Sequence, residues 1–242
     1  MTRPNWYSIS AKAAENRAEV LIYDEIGMWG VTAKEFVDEI NALEVQNIDL
    51  RLNTPGGSVF DGNAIYNALK RHPAAITTHI DGLAASMGSI IALAGDEVRM
   101  AENALYMIHN PWTLAIGDAE ELRATAGVLD KLRDGIVATY RNRTGETDET
   151  IIAAMDAETW FTAEEAKAFG FVDEITGKKE AKATASIKAA MARFKNAPEI
   201  APVGEQGPEI SALSAPEDEV EKHDMANAAF RRRQQVNEWA AL

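Results

Sequence analysis

The sequence predicts an α/β domain. Three observations carry that prediction. Short alternating apolar runs, such as Ala75-Ile76-Thr77-Thr78-His79-Ile80, recur along the chain. Stretches with apolar residues at helical spacing stand between them. Gly- and Pro-rich turns punctuate the two kinds. Alternation of this kind argues for strands joined by right-handed helical crossovers.

In order, residues 19–26 read as a first strand, broken by Gly27 and Gly30. Thr32-Ala33-Lys34-Glu35 has the form of a capping box, and Phe36, Val37, Ile40 and Leu43 follow at helical spacing. Residues 48–52 alternate as a strand and end in the dense turn Asn53-Thr54-Pro55-Gly56-Gly57-Ser58. Residues 59–71 are predicted helical, and His72-Pro73 stops them, because a residue before proline avoids the helical region. The strand 75–80 leads into a small-residue stretch, 82–89, and then a short buried helix, 90–94. Ser86 is thereby placed at a strand-to-helix turn.

Residues 97–100 and 105–108 read as two further strands, the second followed by His109-Asn110-Pro111-Trp112. A long helical pattern opens with the capping box Asp118-Ala119-Glu120-Glu121 and runs to about Arg143, with Gly127 and Gly135 inside it. It needs a neighbouring element or subunit to bury its apolar positions. Residues 147–155 suggest another short helix, and Trp160-Phe161 a strand. Thr162-Ala163-Glu164-Glu165 caps a last helix that Gly170 ends, and 171–175 read as the final strand.

Two regions are expected: a domain over residues 1–177 and a charged, Pro-containing tail over 178–242. The tail opens with an Ala- and Lys-rich stretch, 178–195, that suits a basic helix. A linker over 198–216 holds four of the eight prolines. An acidic run, 217–221, and a helix-compatible end, 225–242, follow.

At 242 residues the chain is long enough to bury its own core. Its net charge of −14 argues against general nucleic-acid binding. With no cysteine, thiol chemistry and disulfides are excluded. Four scattered histidines supply no metal-ligand pattern, so neither metal nor cofactor is expected. No apolar leader and no stretch near 18 apolar residues is seen, which leads to the expectation of a cytoplasmic protein without membrane contact.

Four pieces could carry chemistry together. Ser86, at a helix start with small neighbours, is a candidate nucleophile near backbone donors. His109, just past a short strand, is a candidate base because imidazole titrates near neutrality. His72 and His79 are weaker candidates. Asp156 and Glu158 offer a carboxylate to orient the imidazole. Gly56-Gly57 leaves backbone N–H groups free to face a cleft, where Met87 would add a second oxyanion donor. Each piece alone also fits a plain turn, a surface charge or an ordinary core residue.

The motifs N-T-P-G-G-S (53–58), G-x-A-A-S-M-G (82–88), M-I-H-N-P (107–111) and T-A-E-E-A-K-A-F-G-F-V-D (162–173) resemble, in order and spacing, the proteolytic subunit of the Clp protease. The resemblance covers about residues 20–175. Within that family the Glu158-Thr159-Trp160 run, the tail and the brief N-terminus are most similar to the phage and prophage head maturation branch. The resemblance implies a crotonase-like α/β spiral of repeated β-β-α units with a long handle helix at 118–143. That helix would stack two homo-oligomeric rings. Ser86 matches the nucleophile, His109 the general base, and Gly57 and Met87 the oxyanion donors.

The third triad position carries glutamate here, Glu158, with Asp156 as the runner-up. The axial loops that engage a AAA+ unfoldase are not evident, so ATP-independent cleavage is expected. The implied function is a serine endopeptidase that processes phage capsid or scaffold protein, located in the host cytoplasm or the assembling procapsid. Two alternatives keep the fold: a crotonase-type acyl-CoA enzyme, and a non-catalytic assembly scaffold.

Overall fold

The computed structural model describes residues 5–27, 32–177 and 185–198. The linker, the acidic run and the terminal helix expected beyond residue 198 lie outside the described residues.

An eight-stranded mixed sheet organises the domain. Its strands are β1 (Tyr7–Lys12), β2 (Arg17–Ile22), β3 (Asn47–Thr54), β4 (Ala75–Ala85), β5 (Glu97–Ala101), β6 (Leu105–Ile108), β7 (Thr159–Phe161) and β8 (Glu174–Thr176). The helices are α1 (Ala33–Asn41), α2 (Val59–Arg71), α3 (Met87–Ala92), α4 (Ala119–Thr144), α5 (Asp148–Asp156), α6 (Ala163–Ala168) and α7 (Ala185–Met191). Strands β2 to β5 run parallel, with α1 and α2 as crossovers. This is the α/β architecture, with its long helix, that the sequence predicts.

The period-2 pattern explains the sheet. Ala18, Val20 and Ile22 lie in register with Ile48, Leu50 and Leu52, which lie in register with Ile76, Thr78 and Ile80. All nine are buried. They meet Phe36 and Ile40 of α1 and Ile65 and Leu69 of α2 in one core. The opposite face carries Asp49, Arg51, His79 and Arg99, tied by the Arg51–Asp81 and Arg99–Glu174 ion pairs.

Strand β4 is shared between two neighbours. Residues 77–80 pair with β5, and residues 83–85 pair with β6. The small residues Gly82, Ala84 and Ala85, expected to form a turn, are therefore strand, and α3 starts at Met87 rather than at residue 90. Pairing with β6, a long-range contact, holds them extended.

Other boundaries moved for similar reasons. The first predicted strand starts earlier and stops at Ile22; Ile26 makes only an isolated bridge to Gly57. Strand β1 was not expected. Most of its residues face solvent, which erases the apolar alternation, and it is held by antiparallel pairing to β2. The final strand lies at Glu174–Thr176, because Phe171 turns inward to stack on Tyr106 and Phe169. Thr32 precedes α1 without a side-chain cap, whereas the boxes at Asp118 and Thr162 close as read. Helix α4 spans 26 residues but buries only Ile136, Val137 and Tyr140.

Candidate active site

Ser86 joins β4 to α3 with φ 54° and ψ −124°. A non-glycine residue held there costs on the order of 1–3 kcal/mol. Such a sharp strand-to-helix turn exposes the serine hydroxyl. Several bonds hold the turn. The Ser86 N–H donates to the Met107 carbonyl at 3.0 Å. The Ser86 carbonyl accepts from the Ser89 hydroxyl at 2.5 Å. The Ser89 hydroxyl is 2.7 Å from the Tyr140 hydroxyl of α4. With the Ser89 proton committed to Ser86, Tyr140 is the donor of that pair. Burial pushes the Tyr140 and Tyr106 phenols up, so both stay protonated.

Gly56 packs directly behind this turn. A Cβ on it would lie 2.7 Å from both the Ala85 carbonyl oxygen and the Ser86 Cβ. Its φ of 93° also excludes most side chains.

His109 leaves the end of β6, and its Nε2 lies 2.8 Å from Ser86 Oγ. Burial lowers the pKa of the ring below the usual histidine value, and the negative charge of Glu158 opposes that shift. The antiparallel register of β6 and β7, with Ile108 opposite Thr159, sets Glu158 beside His109. Glu158 is itself strained, at φ 48°.

The Glu158 carboxylate is occupied elsewhere. Its Oε1 accepts from the Asn196 N–H at 2.6 Å and the Trp160 indole N–H at 3.5 Å. Its Oε2 accepts from the Lys195 N–H at 3.1 Å. Among the described residues it makes no hydrogen bond to His109. Asp156 is exposed and accepts from the Asn110 amide at 2.7 Å, one residue beyond His109.

Gly57 lines a cleft of about 150 Å³ together with Ser86, His109, Glu25 and Pro55. Met87 opens α3, so its N–H belongs to the first-turn amides that lack an intrahelical acceptor. His72 and His79 lie apart from this cleft. The first bonds the Leu43 carbonyl and the second faces Asp49.

The structure thus brings Ser86, His109 and Glu158 to one place, with Gly57 and Met87 flanking the serine. A serine hydroxyl on an imidazole nitrogen, beside backbone donors, can attack a carbonyl while the ring takes its proton. Sequence reasoning missed Glu25, the Tyr140–Ser89 link, and Arg193 and Phe194, which also line the cleft. A lone acid and a short basic–aromatic run carry no pattern that separates them from surface residues.

The family model described as Clp protease matches residues 2–179. Over 128 residues the chain is 38% identical to the ATP-dependent Clp protease proteolytic subunit 1 of Protochlamydia amoebophila, covering 51% of this chain and 62% of that protein. It is 32% identical over 136 residues to the ATP-dependent Clp protease proteolytic subunit of Bacteroides fragilis, covering 55% and 66%. A subunit 1 from Chlamydia abortus is 38% identical over 156 residues, covering 60% and 81%. The chain thus spans under two thirds of the length of the first two relatives. With most of its length matched and its sheet and long helix in place, this chain belongs to the Clp protease family.

Proposed function

We propose that the chain is a serine endopeptidase in which Ser86 is the nucleophile and His109 the general base. The observation that carries this reading is the 2.8 Å contact between Ser86 Oγ and His109 Nε2 at a strained strand-to-helix turn. Ser86 attacks the scissile carbonyl while His109 takes its proton. The amides of Gly57 and Met87 hold the oxyanion. His109 then protonates the departing amine, and water releases the acyl group by the reverse path. Glu158 supplies the charge that favours the imidazolium, and Asp156 steadies the segment through Asn110. Peptide hydrolysis by the full chain, with Ser86→Ala as control, tests the assignment; cleavage retained by Ser86→Ala refutes it.

Self-assembly through α4 belongs to the same proposal. The first half of this helix, and the segment before it, leave Trp112, Leu114, Ile116, Leu122 and Val128 exposed, the last two at 43% and 48%. Apolar surface of this extent favours a homo-oligomeric ring. Light scattering checks it.

The substrate proposed is a phage capsid or scaffold protein, cleaved without ATP. The Glu158-Thr159-Trp160 run and the charged stretch 178–242 support this finer reading. Mass spectrometry of the chain co-expressed with a phage major capsid protein, wild type against Ser86→Ala, decides it. Unprocessed capsid protein in both samples rules it out.

A further inference from the structure

Residues 193–196 lie in the cleft that the proposed chemistry needs. The Arg193 guanidinium pairs with Glu25 at 2.8 Å. The Phe194 ring stands edge-on to His109 at 5.3 Å and to Trp160 at 5.7 Å. The Lys195 and Asn196 N–H groups take both oxygens of Glu158, and the Asn196 amide donates to the Ala157 carbonyl at 2.8 Å. Helix α7 anchors the segment: Ile187 and Met191 are buried with Leu83, Ala85 and Met107, on the strands that carry Ser86 and His109.

We infer that the cleft is a binding site for a basic–aromatic peptide, that Glu25 selects its arginine, and that residues 193–196 of this chain occupy it in cis. The inference rests on the reading of Ser86 as nucleophile. Three arguments carry it. First, the segment touches Glu25, the His109 ring and the Glu158 carboxylate, and lines both the Ser86 cleft and the adjoining space of about 400 Å³ that holds Glu158. Second, the charges complement one another at Glu25: in a chain of net charge −14, the Arg193 guanidinium sits on the Glu25 carboxylate. Third, the occupant engages the acid. While both Glu158 oxygens accept backbone N–H groups, that carboxylate does not orient His109. The seated segment therefore both fills the cleft and leaves the base unsupported. A substrate with arginine before an aromatic residue displaces it by making the same contacts.

The test uses the full chain as wild type, Arg193→Glu, Phe194→Ala and the swap Glu25→Arg/Arg193→Glu. One readout is the rate at which a fluorophosphonate labels Ser86, followed by intact mass. The other is hydrogen exchange of the peptide covering 192–198, which reads seating without any chemistry. Phe194→Ala loses ring contacts to both His109 and Trp160 and is expected to label at least about twofold faster, the low end for one aromatic pair. Exchange over 192–198 rises in Phe194→Ala and Arg193→Glu, and the swap restores slow labelling. A synthetic Met-Ala-Arg-Phe-Lys-Asn-Ala-Pro peptide slows labelling of Phe194→Ala, and its arginine-to-glutamate version does not. Equal labelling and equal exchange across all four proteins overturn the inference while leaving the serine chemistry standing. Exchange that shifts as stated, with no labelling of any protein, keeps the cis occupant and overturns the hydrolase reading instead.

Discussion

The backbone N–H of Asn196 donates to the carboxylate of Glu158 at 2.6 Å. The same carboxylate raises the proton affinity of His109 through space. Glu158 thus acts on His109 by charge and not by a hydrogen bond while this segment is seated.

Removing either member of the bonded pair should cut turnover sharply. Ser86→Ala is expected to leave no acyl-enzyme, and His109→Ala to slow peptide hydrolysis by roughly 10²–10⁴, the usual worth of a positioned base. Circular dichroism of both variants should match wild type, since neither side chain belongs to the main core. A fluorometric peptide assay reads the rates.

Glu158→Gln is best measured in the Phe194→Ala background, where the segment no longer masks the effect. There kcat should fall by up to roughly 10⁴, because a carboxamide can hold the wrong histidine tautomer. Asp156→Asn keeps an acceptor for Asn110 and should stay within about tenfold of its parent, since a neutral hydrogen bond is worth only about 0.5–1.5 kcal/mol. Equal, mild effects would mean that neither acid orients the base.

The pH profile follows from burial. A base must be neutral to accept the serine proton. Burial lowers the His109 pKa, so the acidic limb of kcat/KM should lie below the ordinary histidine value near 6.5. Glu158→Gln removes the negative charge that raises this pKa and should move the limb further toward acid. Phe194→Ala admits water to the ring, relieves its burial and should move the limb back toward 6.5.

Two glycines make opposite predictions. Gly56→Ala forces a Cβ to 2.7 Å from the Ala85 carbonyl and the Ser86 Cβ at a positive φ. It should lower stability by about 1–3 kcal/mol, the range for local backbone strain, and inactivate the protein by shifting Ser86. Gly135→Ala, in exposed helix with nothing within 4 Å, should raise stability by about 1 kcal/mol. Urea unfolding separates the two.

Helix α4 reaches Ser86 through Tyr140 and Ser89. Tyr140→Phe removes one donor and leaves Ser89 still bonded to Ser86, so the cost should be about 0.5–1.5 kcal/mol with little change in kcat. Ser89→Ala strands the buried Tyr140 hydroxyl and leaves the Ser86 carbonyl with only the backbone N–H of residue 89, at 2.9 Å. It should cost about 1–3 kcal/mol and lower kcat as well.

Much of the fold was legible in the residues because local physics sets it. Residues 59–71 and 105–108 were read to the residue: proline ends the first, and turns bound the second. The buried alternation at Ile48, Leu50 and Leu52 needed only a period of two. Motif order brought Ser86, His109 and Glu158 forward as candidates before any contact was known. Tertiary structure alone decided the rest, because those features depend on partners distant in sequence. β4 extends to Ala85 because β6 pairs with it; β1 exists because β2 offers an edge; and Glu158 faces the amides of Lys195 and Asn196 because α7 packs beside the strands that bear the site. A residue's type says what bonds it can make, and only the folded chain settles which of them is made.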